Sequence, residues 1–188
     1  MMQIKDTAAK WNILATGLGL VVVVLVVAAF FVPWYRLTFV YHLPEASVSR
    51  DYYITKWIQH DGSPEDVVRG YGTGFEKLAE LMSQQSMFLI LGLVFSATSV
   101  LLARNGRNSL GANVGAIAAT MLFASVANFF WKINWAASTP LNSFSGRVDS
   151  TSISLTWGPM IGWLLSIAGC LTQSAQVVIL VFSNEGKP

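Results

Sequence analysis

Charge is scarce in this chain, and cysteine is scarcer. Asp, Glu, Lys and Arg make up 12% of its 188 residues, while 53% are apolar. A soluble globular domain carries about twice that share of charge. The balance excludes an ordinary soluble domain and points to a membrane protein of one domain, residues 1–188, with mean hydropathy +0.51. Cys170 is the only cysteine, which excludes an intramolecular disulfide. It sits in an apolar run, where a buried, inert thiol is expected. Net charge is +2 and the basic residues are scattered, so no nucleic-acid partner is implied.

What the chain has is length in apolar runs. Four stretches, about 13–32, 87–103, 110–130 and 159–182, approach or reach the roughly 20 residues a membrane span needs. None holds Asp, Glu, Lys, Arg or His in its interior. That absence removes the usual intramembrane haem ligand. It also speaks against a proton-coupled transporter, which normally keeps an ionisable group within a span. The first stretch follows Lys5 and Lys10 but exceeds a signal-peptide core, so it reads as a retained helix.

Lys5 and Lys10 precede the first span, and Arg104 and Arg107 lie between the second and third. Basic residues favour the cytoplasmic side. The expectation is an integral plasma (inner) membrane protein with both termini cytoplasmic. Loops 33–86 and 131–158 are then outside. The longer of these holds seven acids against five Lys and Arg. Trp34, Tyr35, Trp131, Trp135, Trp157 and Trp163 fall near that outer boundary, as an aromatic belt would. Pro33 should end the first helix, with Trp34 and Tyr35 at headgroup level and Arg36 reaching a phosphate or a loop carboxylate.

The outer loops carry strand signals. "RLTFVYHL" alternates, with Leu37, Phe39 and Tyr41 against Thr38, Val40 and His42. "DYYITKWI" is rich in aromatic and β-branched residues, "STSISLTW" alternates again, and "PEASVSR" reads as a turn. Strands are expected at 35–42, 51–58 and 150–157. Ser63, Pro64, Glu65 and Asp66 mark a helix start. Gly70, Gly72 and Gly74 are expected to interrupt that helix before a second segment from about Phe75, where Leu78, Leu81 and Met82 share a face.

No catalytic constellation emerges, and no cofactor or metal is expected. His42, His60 and Asp61 lack close metal-ligand spacing. "GYGTG" lacks the strand-to-helix setting of a nucleotide loop. The spans instead offer small residues: Ala15, Gly17 and Gly19 in the first, Gly111 and Gly115 in the third, Gly158 and Gly162 at the start of the fourth. Such residues let helices approach closely. Asn113, Thr120, Ser125 and Asn128, with Thr172, Gln173, Ser174 and Gln176, should face other helices because amides in hydrocarbon need partners.

Residues 33–39, "PWYRLTF", resemble the end of the first helix in the claudin and peripheral-myelin-protein-22 group, through Pro33, Trp34, Arg36, Leu37, Thr38 and Phe39. "GPMIGWLLSIAG" is similar to the Gly-Trp-containing fourth helix of claudins. The resemblance implies four spans, cytoplasmic termini, and a small outer sheet built by both outer loops. The group's paired cysteines are absent, as is its Gly-Leu-Trp signature, for which Trp57 is the nearest substitute. Tight-junction sealing is not implied.

The expected fold is therefore an integral membrane, mainly α protein: a four-transmembrane-helix bundle with a small extracytoplasmic β-sheet formed by the two outer loops. The expected function is non-catalytic. A tetraspan of this kind would act by lateral association in the lipid bilayer, as an accessory or scaffold subunit of a larger membrane complex or as a homo-oligomer. The alternative is a small channel or carrier for a neutral or lipidic solute. The interaction candidates are Pro33, Trp34, Arg36, Phe39, Trp57, Gly111, Gly115, Trp157, Gly158, Gly162 and Trp163.

Overall fold

A computed structural model of the chain describes residues 2–42, 45–54, 57–59, 64–138 and 153–185. The elements run α1 (Met2–Phe31), β1 (Tyr35–His42), β2 (Glu45–Tyr52), β3 (Trp57–Gln59), α2 (Pro64–Arg104), α3 (Asn108–Ser138), β4 (Ile153–Pro159) and α4 (Ile161–Glu185). Among the described residues four segments are long and apolar enough to cross a membrane: Lys10–Phe31, Gln84–Arg104, Asn108–Trp131 and Ile161–Ser183. They fit an integral membrane protein.

The chain forms two compact units. One is built from Met1–Ala28, Met87–Val126 and Leu165–Pro188, the other from Ala29–Ser86 and Ala127–Leu164. In the first unit the buried positions follow one rule. Along α1 they are Ala15, Gly19, Val22 and Val26; along α2, Leu89, Gly92, Ser96, Ser99 and Ala103. On α3 they include Asn108, Gly111, Gly115, Ala118, Leu122 and Ser125, and on α4 Ser166, Gly169, Gln173, Gln176, Leu180 and Ser183. Val100 and Ala112 are buried as well; along the rest, steps of three and four alternate. That mean period of about 3.5 residues is the spacing of a left-handed helix bundle. The interior residues are mostly small or polar. Large apolar side chains such as Ile13, Val24, Phe123 and Leu171 point outward.

α2 and α3 are joined by a tight turn. Gly106 adopts φ 73°, a left-handed backbone. Its N–H donates to Ala103 O (3.0 Å), and the Arg107 N–H donates to Leu102 O (2.9 Å). Together these form a Schellman cap, which satisfies the last carbonyls of α2.

The second unit holds a four-stranded antiparallel sheet in the order β3-β2-β1-β4. β1 is central. It pairs with β2 from Tyr35↔Tyr52 to His42↔Glu45, and with β4 from Tyr35↔Pro159 to Tyr41↔Ile153. Pro159, which has no N–H to offer a ladder, sits at the end of β4.

Several sequence expectations are corrected here. "PEASVSR" is not a turn: Glu45–Tyr52 is a strand, because full-length pairing with β1 outweighs the poor strand preference of its Ser and Glu residues. The strand expected at 51–58 divides instead, with Asp51 and Tyr52 closing β2 and Trp57 opening β3. Residues 150–152 of the third expected strand lie outside the described residues, and β4 continues to Pro159. Gly70, Gly72 and Gly74 do not interrupt α2, which is one helix of 41 residues. A glycine costs a helix only about 1 kcal/mol, which a long helix absorbs. The fourth helix begins at Ile161, so Gly158 is a strand residue and forms no helical GxxxG with Gly162.

Gly106 supplies a clean test of the turn. A Cβ there would meet nothing within 4 Å, so only backbone strain opposes a side chain. Gly106→Ala should cost about 1–2 kcal/mol, and Gly106→Asn less, in thermal unfolding in one detergent. Equal stability of all three proteins would contradict the assigned turn.

Candidate functional site

Trp34 is where the second unit's segments converge. α1 ends at Phe31, and Pro33 follows with its ring and no amide donor. Trp34 then turns inward and is fully buried. Its indole N–H donates to Ala29 O at 2.8 Å, which caps a terminal carbonyl of α1. Its backbone N–H donates to Tyr52 O at 2.7 Å, at the end of β2. Its own carbonyl accepts from the Met160 N–H at 2.8 Å, in the link between β4 and α4. Phe129 of α3 meets the ring edge-on, with centroids 5.3 Å apart and planes at 67°.

Gly162 makes this convergence possible. Its N–H donates to Pro33 O at 3.0 Å. A Cβ on it would stand 2.6 Å from Trp34 Cδ1 and 3.1 Å from Pro33 O. Neither a buried indole nor a backbone carbonyl can yield easily, so the first turn of α4 accepts only hydrogen at this position.

Arg36 lies two residues beyond Trp34, opposite Asp51 in the β1–β2 register. Its Nε donates to Asp51 Oδ1 (2.6 Å) and its second guanidinium nitrogen to Oδ2 (2.9 Å). Asp51 is buried, and the Arg36 side chain is half exposed. A bidentate fork of this kind fixes orientation as well as charge. The loop carboxylate expected for Arg36 is Asp51.

The first unit has its own polar centre. Gln173 and Gln176 are one turn apart on α4 and fully buried. Gln173 Nε2 donates to Gln176 Oε1 at 2.7 Å. Each amide lies in a notch left by a glycine. A Cβ on Gly115 would stand 2.9 Å from Gln173 Nε2 and 3.0 Å from Ser99 Oγ; one on Gly19 would be 2.5 Å from Gln176 Nε2 and would also strike Val100. Ser99 donates to Gly111 O at 2.8 Å, tying α2 to α3. Gln173 Oε1, Gln176 Nε2 and Ser96 Oγ are buried with no partner among the described residues.

A second polar cluster joins Asn12 of α1, Asn108 of α3 and Ser183 of α4. Ser183 donates its proton to Leu180 O at 2.9 Å. Its oxygen therefore accepts from Asn108 Nδ2 at 2.9 Å, and the same Nδ2 donates to Asn12 Oδ1 at 2.7 Å. This chain of donors fixes which way the Asn108 amide points.

The structure thus brings Pro33, Trp34 and Gly162 together, with Arg36 on the adjoining strand. Trp34, expected near the outer boundary, is fully buried in protein. A Cβ on Gly115 would press on Gln173, whereas one on Gly111 would meet α2 at ordinary distances of 3.4–3.5 Å. Trp157 and Gly158 lie in β4, opposite Leu37 and Arg36 of β1. Phe39 is in β1 opposite Val48 and Leu155, and Trp57 opens β3 opposite Tyr52. Trp163 stacks on Phe130 with centroids 6.3 Å apart.

Other polar expectations divide. Ser125, Gln173 and Gln176 are interior, and Asn128 and Thr172 are half-buried. Asn113, Thr120 and Ser174 are exposed and so do not face neighbouring helices; Gly17 is exposed as well. Thr120 and Ser174 donate to the carbonyls one turn back, Ala116 O and Cys170 O, both at 2.9 Å, which satisfies them without a neighbour. His42 lies in β1; His60 and Asp61 lie outside the described residues. Among the described residues no group of three His, Cys, Asp or Glu gathers as a metal site would require. Sequence reading passed over Phe129, Asp51 and Asn108. The buried Asn108 carried one usable signal, its place in the three-and-four spacing of α3.

The two glycine contacts on α3 and the one on α4 predict a graded series. Gly162→Ala should destabilise by about 1–3 kcal/mol, as overpacking does. Gly115→Ala should cost less, because the end of a Gln side chain can shift. Gly111→Ala should be near neutral or stabilising by up to about 1 kcal/mol through helix preference. Trp34→Ala should lose about 3–5 kcal/mol, and Arg36→Ala less than that. Thermal unfolding in a single detergent ranks all five, and Gly162→Ala matching wild type would remove the hub.

No protein-family model matches the chain, and no curated protein matches it. The side chains described above therefore carry the functional reading by themselves.

Proposed function

We propose that the chain is a non-catalytic tetraspan membrane protein that acts by lateral association, as an accessory or scaffold subunit of a larger complex or as a homo-oligomer. One observation carries this reading. In the second unit Phe130 stacks on Trp163 (interplanar angle 25°), and Phe130 and Trp131 are 51% and 77% exposed. Ile161 and Leu164, beside Trp163 in sequence, are exposed too. A stacked aromatic pair presents a large surface already ordered, so little side-chain entropy is lost when a partner covers it. Aromatic residues of this kind dominate binding energy at protein interfaces.

The interior of the first unit supports the same choice. Gln173 and Gln176 fill the glycine notches between helices, so close packing occupies the place a conduit would need. The unpartnered amide atoms there favour a second reading, a carrier for a small neutral solute. We place both termini in the cytoplasm and the β-sheet outside. Supporting this, Lys10, Arg104 and Arg107 are all exposed in the first unit, as cytoplasmic cations are.

Purification of the full chain in mild detergent tests the association. Wild type should carry a stoichiometric partner or a defined oligomer, and Phe130→Ala/Trp131→Ala should lose it while keeping its unfolding temperature within a few degrees. A monomer without partner that passes neutral solute in liposomes would favour the carrier. For topology, Asn105→Cys in a Cys170→Ser background should react with an impermeant maleimide only after permeabilisation. Labelling of intact cells would reverse the orientation.

A further inference from the structure

We propose that the outward face of α3 in the first unit pairs with the same face of a second copy of the chain, in a parallel twofold dimer centred on Asn113. The inference rests on the lateral-association reading and names the partner.

The first observation is an amide in the wrong solvent. Asn113 is exposed on the Asn108–Trp131 segment, which is long and apolar enough to cross a membrane. Five residues separate it from Asn108, a rise of about 7.5 Å along a span of about 36 Å. A hydrocarbon core is about 30 Å thick, so a centred span carries Asn113 about 4–5 Å below its edge. The Asn113 carboxamide has no hydrogen-bond partner among the described residues. Thr120, further along the same face, differs: its hydroxyl donates to Ala116 O and is satisfied within its own helix. An amide in hydrocarbon without a partner is costly.

The second observation is how this chain sorts residues between helix faces. The interior of the first unit is mostly small or polar, and large apolar side chains point outward. α2 keeps to that rule. Between the ends of its span the exposed residues are Met87, Ile90, Leu91, Val94, Thr98 and Leu101. α3 breaks it. Ser109, Asn113, Ala116, Thr120 and Phe123 are all exposed, at steps of four, three, four and three. All but Phe123 are small or polar. In a bilayer that composition belongs to a surface where another helix packs, because small residues admit close approach and polar ones bond across it. The alternating steps are those of a left-handed helix pair, and a single Asn in such a seam fixes its register.

The occupant follows from the chemistry of the seam. Its five residues carry no charge, so nothing on it selects a partner of opposite sign. A carboxamide is its own complement, with an acceptor oxygen and a donor nitrogen. On a twofold axis along the membrane normal, each Asn113 donates to the oxygen of the other, and one contact satisfies both. Such an interface is isologous, and both copies keep the same orientation in the bilayer.

The test uses the full chain in liposomes. Asn113→Cys, Ala116→Cys and Thr120→Cys, each with Cys170→Ser, should form disulfide-linked dimers with copper phenanthroline, and Val94→Cys on α2 should not. Equal linkage at all four sites would mark random collision and overturn the interface. Energy transfer between labelled chains on dilution into lipid reads the affinity. Asn113→Leu should weaken dimerisation about tenfold, the worth of two interhelical amide bonds, and Asn113→Gln, which keeps the amide, about threefold at most. Both should unfold at the wild-type temperature, since the side chain points away from its own bundle. Unchanged dimerisation of Asn113→Leu would overturn the proposal. A single copy bound stoichiometrically to a different protein would overturn the second copy but leave lateral association standing. A monomer with no partner would overturn both.

Discussion

The burial of one indole organises the second unit. Trp34 closes the last turn of α1 through its ring N–H, holds the end of β2 through its backbone N–H, and receives the link into α4 through its carbonyl. Each bond satisfies a backbone group that would otherwise be an orphan where a helix or strand ends. Pro33 directs the chain into this position, and Gly162 leaves room for it. The Arg36–Asp51 fork then pins the first two strands where they leave the hub.

The first unit inverts the familiar arrangement of apolar interior and polar surface. Lipid tails are as apolar as leucine side chains, so burying a leucine gains little in a membrane. Close backbone approach and internal hydrogen bonds hold helices together instead. Gly19, Gly115, Ser99, Gln173 and Gln176 supply both. The outward Leu, Ile, Val and Phe side chains need only match the hydrocarbon around them.

This inversion explains what could be read from the residues and what could not. The four helices were legible because long apolar runs have few other solutions. Their inner faces were read only in part: Gly19, Gly115, Ser125, Gln173 and Gln176 were placed correctly against other helices, but Asn113, Thr120 and Ser174 were not, because both faces of such a helix are apolar and hydropathy has no period there. The signal was in the small and polar residues, whose spacing alternates three and four along α4 from Gly162 to Ser183. β1 was visible through alternation. β2 was hidden, since "EASVSR" has weak strand character and acquires its form from pairing with β1. The burial of Trp34 was not legible for a related reason. Nothing near it in sequence separates a membrane-belt tryptophan from a buried one, and Gly162, the residue that decides the matter, belongs to the last helix.

The central position of β1 has a consequence for the order of events on the ribosome. One edge of β1 meets β2 at once, across a short connection. The other edge pairs with β4, and most of the chain lies between Tyr41 and its partner Ile153. While α2 and α3 are being made, that edge exposes unpaired amides and carbonyls, and the Trp34 carbonyl waits for Met160. A strand left open for so long is a template for the wrong partner, including β1 of a neighbouring nascent chain.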